Sequence, residues 1–483
     1  MYSLKFDDNV DLSVINYCLI GAQLTDEQLV SVKKAVDIEK SIWQVEMGLG
    51  KTYMVVGFVN HLLPYWRENG YKCILVAPTN KLIDFVNVLT QHTSAKVLLS
   101  TGDKNQLEVL MRDWDYYDVF IVTQSAWTIS MDFNIWVFNH KKVINTCIYD
   151  EAQGINDVGY MHFLELCKKR AKYVALLNAT PVGSTSSFVT ERDKLRVVHN
   201  LLYAVCEDVD KNYDKFYFKN TYNIETNSMN PQKRVLNIDK YKDAYGKYFI
   251  SSNRQDLGIN TIYKSCIFHR CILSAQQTSI VNDSKLFNST DINILLYSPE
   301  TSDLFQLTTS SVPALGELIN IIQSYDEYSN KIVYVKNHSS ISTIYEYLKA
   351  LGYNVFILDG QHTQTHKEKN VVEDLFNNTR GGIMITSIDR GSNLSSASHI
   401  IIYDTPPDTL QFVARAIRGF NSKEITLDWI YYPEYERDKM LAMYEMIITI
   451  SEMTDRDIGV LPFLESELKC MYPNARILKL LNV

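Results

Sequence analysis

The sequence predicts an α/β protein made of two doubly wound parallel-sheet lobes joined by a helical and irregular connection. Short, continuously apolar, β-rich runs recur through the first 180 residues and again beyond residue 330. Helical patterns separate them, and this strand–helix alternation is what a parallel sheet with crossover helices requires. Between the two blocks the alternation weakens. The boundaries read as 1–200 for the first lobe, 201–265 for the connection and 266–483 for the second lobe.

In the first block the apolar runs lie at 42–45, 73–77, 119–123, 146–149 and 173–177. Each is short and apolar throughout, the pattern of strands buried on both faces. Helical patterns at 51–63 and 81–92 fall between them. From about 185 to 265, polar Tyr- and Asn-rich stretches such as 220–230 read as loops between helices. In the second block the runs lie at 332–335, 354–358, 383–386, 399–403 and 428–432, with helical patterns at 340–351 and 365–377. No fixed-period repeat or low-complexity tract interrupts them.

Composition narrows the class. Of 483 residues, 46% are hydrophobic and 22% charged, which suits large globular cores and excludes wholesale disorder. Lys and Arg number 48 against 56 Asp and Glu, for a net charge of −8. A histone-like polycation is thereby excluded, although a basic groove on an acidic molecule is not. No apolar run approaches the roughly 18 residues that span a bilayer, and residues 1–8 have no secretory pattern. The eight cysteines form no C-x-x-C pair, so reduced thiols in an intracellular protein are expected. The ten histidines show no metal-ligand spacing.

Gly48-Leu49-Gly50-Lys51-Thr52 follows the first apolar run and opens a helical pattern. Glycines let the backbone approach phosphates closely, and a helix N-terminus adds N–H donors and partial positive charge. Lys51 is placed to reach the β/γ-phosphates and Thr52 to hold Mg²⁺. The longer phosphate-loop pattern fails at its first glycine, where Val45 stands. The shorter pattern arises by chance in roughly one chain of this length in a hundred. Alone, it also describes a glycine turn ahead of a helix with an exposed lysine.

Asp150-Glu151-Ala152-Gln153 ends a later run. A strand delivering two carboxylates to its C-terminal edge suits a Mg²⁺-dependent nucleotide hydrolase, with Asp150 toward the metal and Glu151 toward the attacking water. A lone Asp-Glu is otherwise a solvated turn. In the second block Gln411, Arg415 and Arg418 share one helical face. They could meet a triphosphate as arginine fingers or simply form a solvated basic face.

Taken in order, these segments resemble the helicase superfamily 2, and within it the Snf2-like branch. Glu46-Met47-Gly48-Leu49-Gly50-Lys51-Thr52 is similar to its motif I, Ala77-Pro78-Thr79 to motif Ia and Asp150–Gln153 to motif II. Leu177-Asn178-Ala179-Thr180-Pro181 is similar to motif III, and Thr386–Leu394 with Ile400–Asp404 to motif V. Gln411, Arg415 and Arg418 match the core of motif VI, Leu24–Gln28 the adenine-reading segment, and Leu358-Asp359-Gly360 the stretch after motif IV. Motif II ends in Gln153 where His is usual, and motif V is short. Arg415–Arg418 with the following Gly-Phe-Asn-Ser is similar to nucleoside triphosphatases of large DNA viruses, so a viral, phage or cytoplasmic-plasmid source is among the expectations.

The resemblance implies two RecA-like lobes that bind ATP and Mg²⁺ in the cleft between them and nucleic acid across both, DNA ahead of RNA. It implies an ATP-dependent DNA helicase or translocase, acting as a monomeric motor inside the cell, cytoplasmic or nuclear, with no membrane role and with transcription or replication proteins as candidate partners. Gln28 would read adenine. Met47, Gly48, Leu49, Gly50, Lys51, Thr52 and Gln411 would hold nucleotide, and Thr52 and Asp150 the metal. Lys51, Asp150, Glu151, Arg415 and Arg418 would be catalytic, and Thr79, Thr123 and Thr386 would touch phosphodiesters. The alternatives are an ATP-gated module of a viral or plasmid transcription or replication assembly, or an RNA helicase, neither separating strands; a restriction-system motor ranks behind both.

Overall fold

The computed structural model describes residues 19–46, 48–100, 104–123, 143–152, 158–178, 191–215, 238–252, 261–283, 312–363, 365–387, 393–405, 423–454 and 458–471, with isolated positions at 135–137, 139, 292, 295–297, 412–413 and 416. Two compact units emerge. One comprises 1–184, 188–258 and 449–457, and the other 185–187, 259–448 and 458–483.

The first unit is built on a seven-stranded sheet. Its strands are β1 (Lys40–Val45), β2 (Lys72–Ala77), β3 (Val97–Ser100), β4 (Val119–Thr123), β5 (Ile144–Asp150), β6 (Tyr173–Leu177) and β7 (Phe249–Ser252), in the order β3-β4-β2-β5-β6-β1-β7. Every pairing is parallel. β4, β5 and β6 are buried along their whole length, as continuous apolar runs should be with helices on both faces. The helix Lys51–Asn69 covers β1 and β5. Its Phe58 meets Trp43 edge-on at 5.7 Å, and its buried Trp66 donates Nε1–H to Thr146 Oγ1 at 3.0 Å. Gly70 closes this helix in the left-handed region at φ +66°.

The second unit carries a six-stranded sheet, also wholly parallel. Its strands are β8 (Thr261–Arg270), β9 (Lys331–Tyr334), β10 (Asn354–Leu358), β11 (Gly382–Thr386), β12 (His399–Ile402) and β13 (Lys423–Tyr431), in the order β10-β11-β9-β12-β13-β8. The helices Pro313–Ser324 and His338–Ala350 bury Leu318, Ile322, Ile344 and Leu348 against Val333, Ile385 and Ile401. Among the described residues no helix is long and apolar enough to cross a membrane.

The apolar runs and helices read from the sequence reappear within a few residues. Three strands do not come from those runs: β3, β7 and β8. Each stands at or beside a sheet edge and mixes polar with apolar residues, so its burial is partial and its signal weak. Residues 249–252 and 261–265, which read as part of a loop-rich stretch, belong instead to edge strands, one in each sheet. The polar tract at 220–230 lies outside the described residues.

Buried Asn330 fixes the outer half of the second sheet. Its Nδ2 donates to Phe376 O (3.2 Å), Thr379 O (2.8 Å) and Ser396 Oγ (2.9 Å), while its Oδ1 accepts from Gly382 N (2.9 Å). One amide thus ties a helix C-terminus, the start of β11 and the turn before β12. Asn330→Ala would strand several buried polar groups, at about 1–3 kcal/mol for each one left unsatisfied. The second unit of that variant should unfold at clearly lower urea, and an unchanged midpoint would contradict this reading.

Candidate nucleotide site

A sheet buried on both faces can present polar chemistry only at its edges, and in parallel α/β sheets the C-terminal edge carries it. β1 and β5 end there with β6 between them. Past β1, Glu46 N donates to Ser252 O at 2.9 Å, so β7 holds the strand exit. Gly48 and Gly50 then take φ +85° and +76°, in the left-handed region where a side chain would be strained. Gly50 caps the helix Lys51–Asn69, and Met54 N donates back to Gly50 O at 3.1 Å. Half-buried Lys51 and Thr52 open the first turn, where backbone N–H groups point out of the helix end.

Gln28 packs under this loop. It is the third residue of the helix Asp26–Ile38, and its Oε1 accepts from Thr25 N (3.0 Å) while Thr25 Oγ1 accepts from Gln28 N (3.3 Å), a capping box. Its Nε2 donates to Leu49 O at 2.9 Å. A Cβ placed on Gly50 would come within 2.5 Å of that same Nε2. The backbone conformation thus favours glycine, and a Cβ there would push the Gln28 amide off the Leu49 carbonyl.

Asp150 and Glu151 are 2% and 5% exposed at the end of β5. Successive side chains of an extended strand point to opposite faces. Glu151 breaks that alternation with φ +56°, and both carboxylates reach one ammonium. Lys81 Nζ lies 3.1 Å from Asp150 Oδ2 and 2.8 Å from Glu151 Oε1. Burial alone would depress the Lys81 pKa, but the two carboxylates and their hydrogen bonds outweigh it and raise it. Lys81 ends the 3₁₀ turn Thr79–Lys81 after β2. Sequence reasoning passed over it; the available signal was a basic residue just beyond the Ala77-Pro78-Thr79 strand end.

The structure therefore sets Gln28 against the loop Gly48-Leu49-Gly50 and the helix start at Lys51 and Thr52, and places Asp150 and Glu151 two strands away on the same edge. Asn178, buried past β6, donates its backbone N–H to Trp43 O at 2.9 Å and bonds that strand end to β1. Thr79 is exposed, whereas Thr123 and Thr386 are buried and offer no hydroxyl to solvent in this conformation. Met47, Gln153, Thr180, Pro181, Arg390, Gly391, Gln411, Arg415 and Arg418 lie outside the described residues. Between the last three, Phe412, Val413 and Ala416 are buried, with the Phe412 ring 4.8 Å from Tyr334.

An SNF2-related domain matches residues 32–330, more than half of the chain, and a helicase conserved C-terminal domain matches 313–420. The chain belongs to the SNF2-related family. Among curated SNF2-type relatives, the Arabidopsis thaliana ATP-dependent DNA helicase DDM1 is 25% identical over 41% of this chain and 25% of its own length. The Arabidopsis thaliana ATP-dependent helicase BRM is 22% identical over 84% of this chain and 21% of its own. A Caenorhabditis elegans SWI/SNF-related regulator of chromatin, subfamily A containing DEAD/H box 1 homolog, is 22% identical over 80% and 46%. This chain thus spans less than half the length of each. Among solved structures, the Sulfolobus solfataricus SWI2/SNF2 ATPase core in complex with dsDNA aligns over 94% of this chain and 97% of its own, at 16% identity and a TM-score of 0.41.

In the helicase C-terminal part, the segment that resembles motif V ends at Asp404, which is 1% exposed. Its neighbour Glu436, fully buried, accepts from Tyr432 N (3.0 Å), Thr405 Oγ1 (3.1 Å) and Tyr297 OH. Burial first, and then the Glu436 charge, push the Asp404 carboxyl up to about 7. The unfolded chain releases that proton near pH 4 and the folded chain keeps it until about pH 7, so this group's stabilisation fades as pH rises between the two. Asp404→Asn should therefore gain unfolding free energy relative to the wild type across that window, seen as diverging urea midpoints; parallel midpoints would refute the assignment.

Gly50→Ala should remove nucleotide binding while leaving the far side of the first sheet folded. The measurement is equilibrium binding of a fluorescent ADP alongside far-UV circular dichroism. Retained affinity would show that the loop accepts a side chain against Gln28.

Proposed function

We propose that this chain is an ATP-dependent motor that binds DNA and couples ATP hydrolysis to movement along it. The observation that carries the reading is the glycine loop and the buried acid pair ending two strands of one parallel sheet, inside an SNF2-related domain. The residues suit the ligands. Gly48 and Gly50 clear space for phosphates at a helix N-terminus, and the loop also includes Met47 and Leu49. The acid pair already balances one cation, and its hard oxygens together with the Thr52 hydroxyl suit Mg²⁺.

In this reading Lys51 neutralises β/γ-phosphate charge, and Thr52 and Asp150 hold Mg²⁺, which would supply further charge neutralisation there. Glu151 orients the attacking water and takes its proton. Burial of both acids excludes competing bulk water. The Gln28 amide has one hydrogen and one lone pair beyond its two bonds, the complement of an adenine edge. The motif VI resemblance assigns Gln411 to nucleotide binding and Arg415 and Arg418 to stabilising phosphoryl charge; all three lie outside the described residues.

DNA ranks ahead of RNA because one curated relative is named a DNA helicase. The chain works inside the cell as a monomeric motor, with transcription or replication proteins as partners; a viral, phage or cytoplasmic-plasmid source fits the same reading.

Duplex DNA should stimulate ATP turnover at fixed salt, and the chain should displace the third strand of a triplex while consuming ATP. Glu151→Gln should cut hydrolysis by about 10²–10⁴-fold and retain nucleotide binding, the usual size of a lost general base. Stimulated turnover without triplex displacement would instead identify an ATP-gated clamp. Normal turnover in Glu151→Gln would remove this residue from the chemistry.

A further inference from the structure

We propose that Lys81 is an internal counter-ion of the nucleotide site, one that leaves Asp150 when the metal-bound nucleotide arrives and carries its turn with it. The inference rests on Asp150 and Glu151 being the metal and water acids proposed above. Lys81 Nζ is bonded to both buried carboxylates at once, and its side chain is 23% exposed against 3% and 6% for theirs. Two buried carboxylates without a cation would repel each other and carry a desolvation cost, so the ammonium makes the acid pair tolerable. A divalent ion at Asp150 brings two more positive charges to a carboxylate that Lys81 holds at 3.1 Å. Two like charges drawn to one carboxylate in a partly buried site repel each other. The lysine has the flexible stem and the route to solvent that let it move.

The consequence reaches beyond the acids. Lys81 closes the short turn Thr79–Lys81, where its N–H donates to Pro78 O at 2.9 Å, and it directly precedes the helix Leu82–His92. Thr79, two residues earlier, is exposed. The proposal includes a shift of this turn when the ammonium withdraws, so that site occupancy is reported at exposed Thr79. Reciprocity makes the converse hold: a partner that keeps the turn in its displaced form raises the affinity of the acids for the metal by the same factor.

The test uses the full chain as wild type, Lys81→Gln and Lys81→Arg, with N-methylanthraniloyl-ADP as probe. Magnesium is titrated at fixed probe, and hydrogen exchange is followed over residues 78–84. Lys81→Gln should need about five- to tenfold less Mg²⁺ for half-saturation, a coupling of ordinary size, and Lys81→Arg should stay close to wild type. In the wild type, saturation with Mg²⁺ and probe should speed exchange at 78–84. Equal Mg²⁺ requirements in wild type and Lys81→Gln would overturn the proposal. So would unchanged or slower exchange at 78–84, a measurement that needs only the wild type and holds even if the Gln variant does not fold. Failure of the wild type to bind the probe at all would instead overturn the nucleotide-site assignment itself.

Discussion

Two carboxylates that share one ammonium in a nearly dry strand end are the constraint around which the first unit is organised. Desolvating one acid is costly and desolvating two adjacent acids is costlier, so the arrangement survives only with a cation held against both. That cation comes from the turn after β2, the neighbour of β5 in the sheet. Strand order therefore does more than build a core. Placing β2 beside β5 brings a basic turn within reach of the acids, and placing β6 between β5 and β1 sets the distance from acids to glycine loop.

The glycine loop obeys a complementary constraint, one of space rather than charge. Gln28 fills the volume beside Gly50 and spends one amide hydrogen on the Leu49 carbonyl. The helix that carries Gln28 is started by the same amide, through the capping box with Thr25. Loop conformation and helix start are thus joined through a single side chain. The second unit offers a parallel in Asn330, whose amide links three separate segments.

Much of this was legible in the sequence because burial on both faces leaves a strong mark. β4, β5, β6 and β11 are continuous apolar runs, and each was readable to within a few residues. The glycine loop and the acids were legible because few residue types supply a left-handed turn before a helix or a carboxylate pair after a strand. The edge strands β7 and β8 were not legible, since partial exposure lets polar residues interrupt the run. Lys81 was invisible for another reason. Its role depends on which strands are neighbours, and strand order leaves no mark in local composition. Thr123 and Thr386 sit at strand ends as read, but whether a hydroxyl faces solvent depends on the packing around it, and here both are enclosed.

The positive φ at Glu151 has a consequence for how this position can vary. A left-handed backbone costs an ordinary L-residue about 1–2 kcal/mol, less for Asn or Asp, nothing for glycine and most for β-branched residues. The role proposed for this position calls for an acid. The two filters overlap on very few amino acids, so drift toward Val, Ile or Thr is blocked by conformation before function is even consulted. A descendant released from that proposed role would be freed from one filter only, and its replacements at 151 should drift toward glycine, asparagine or aspartate.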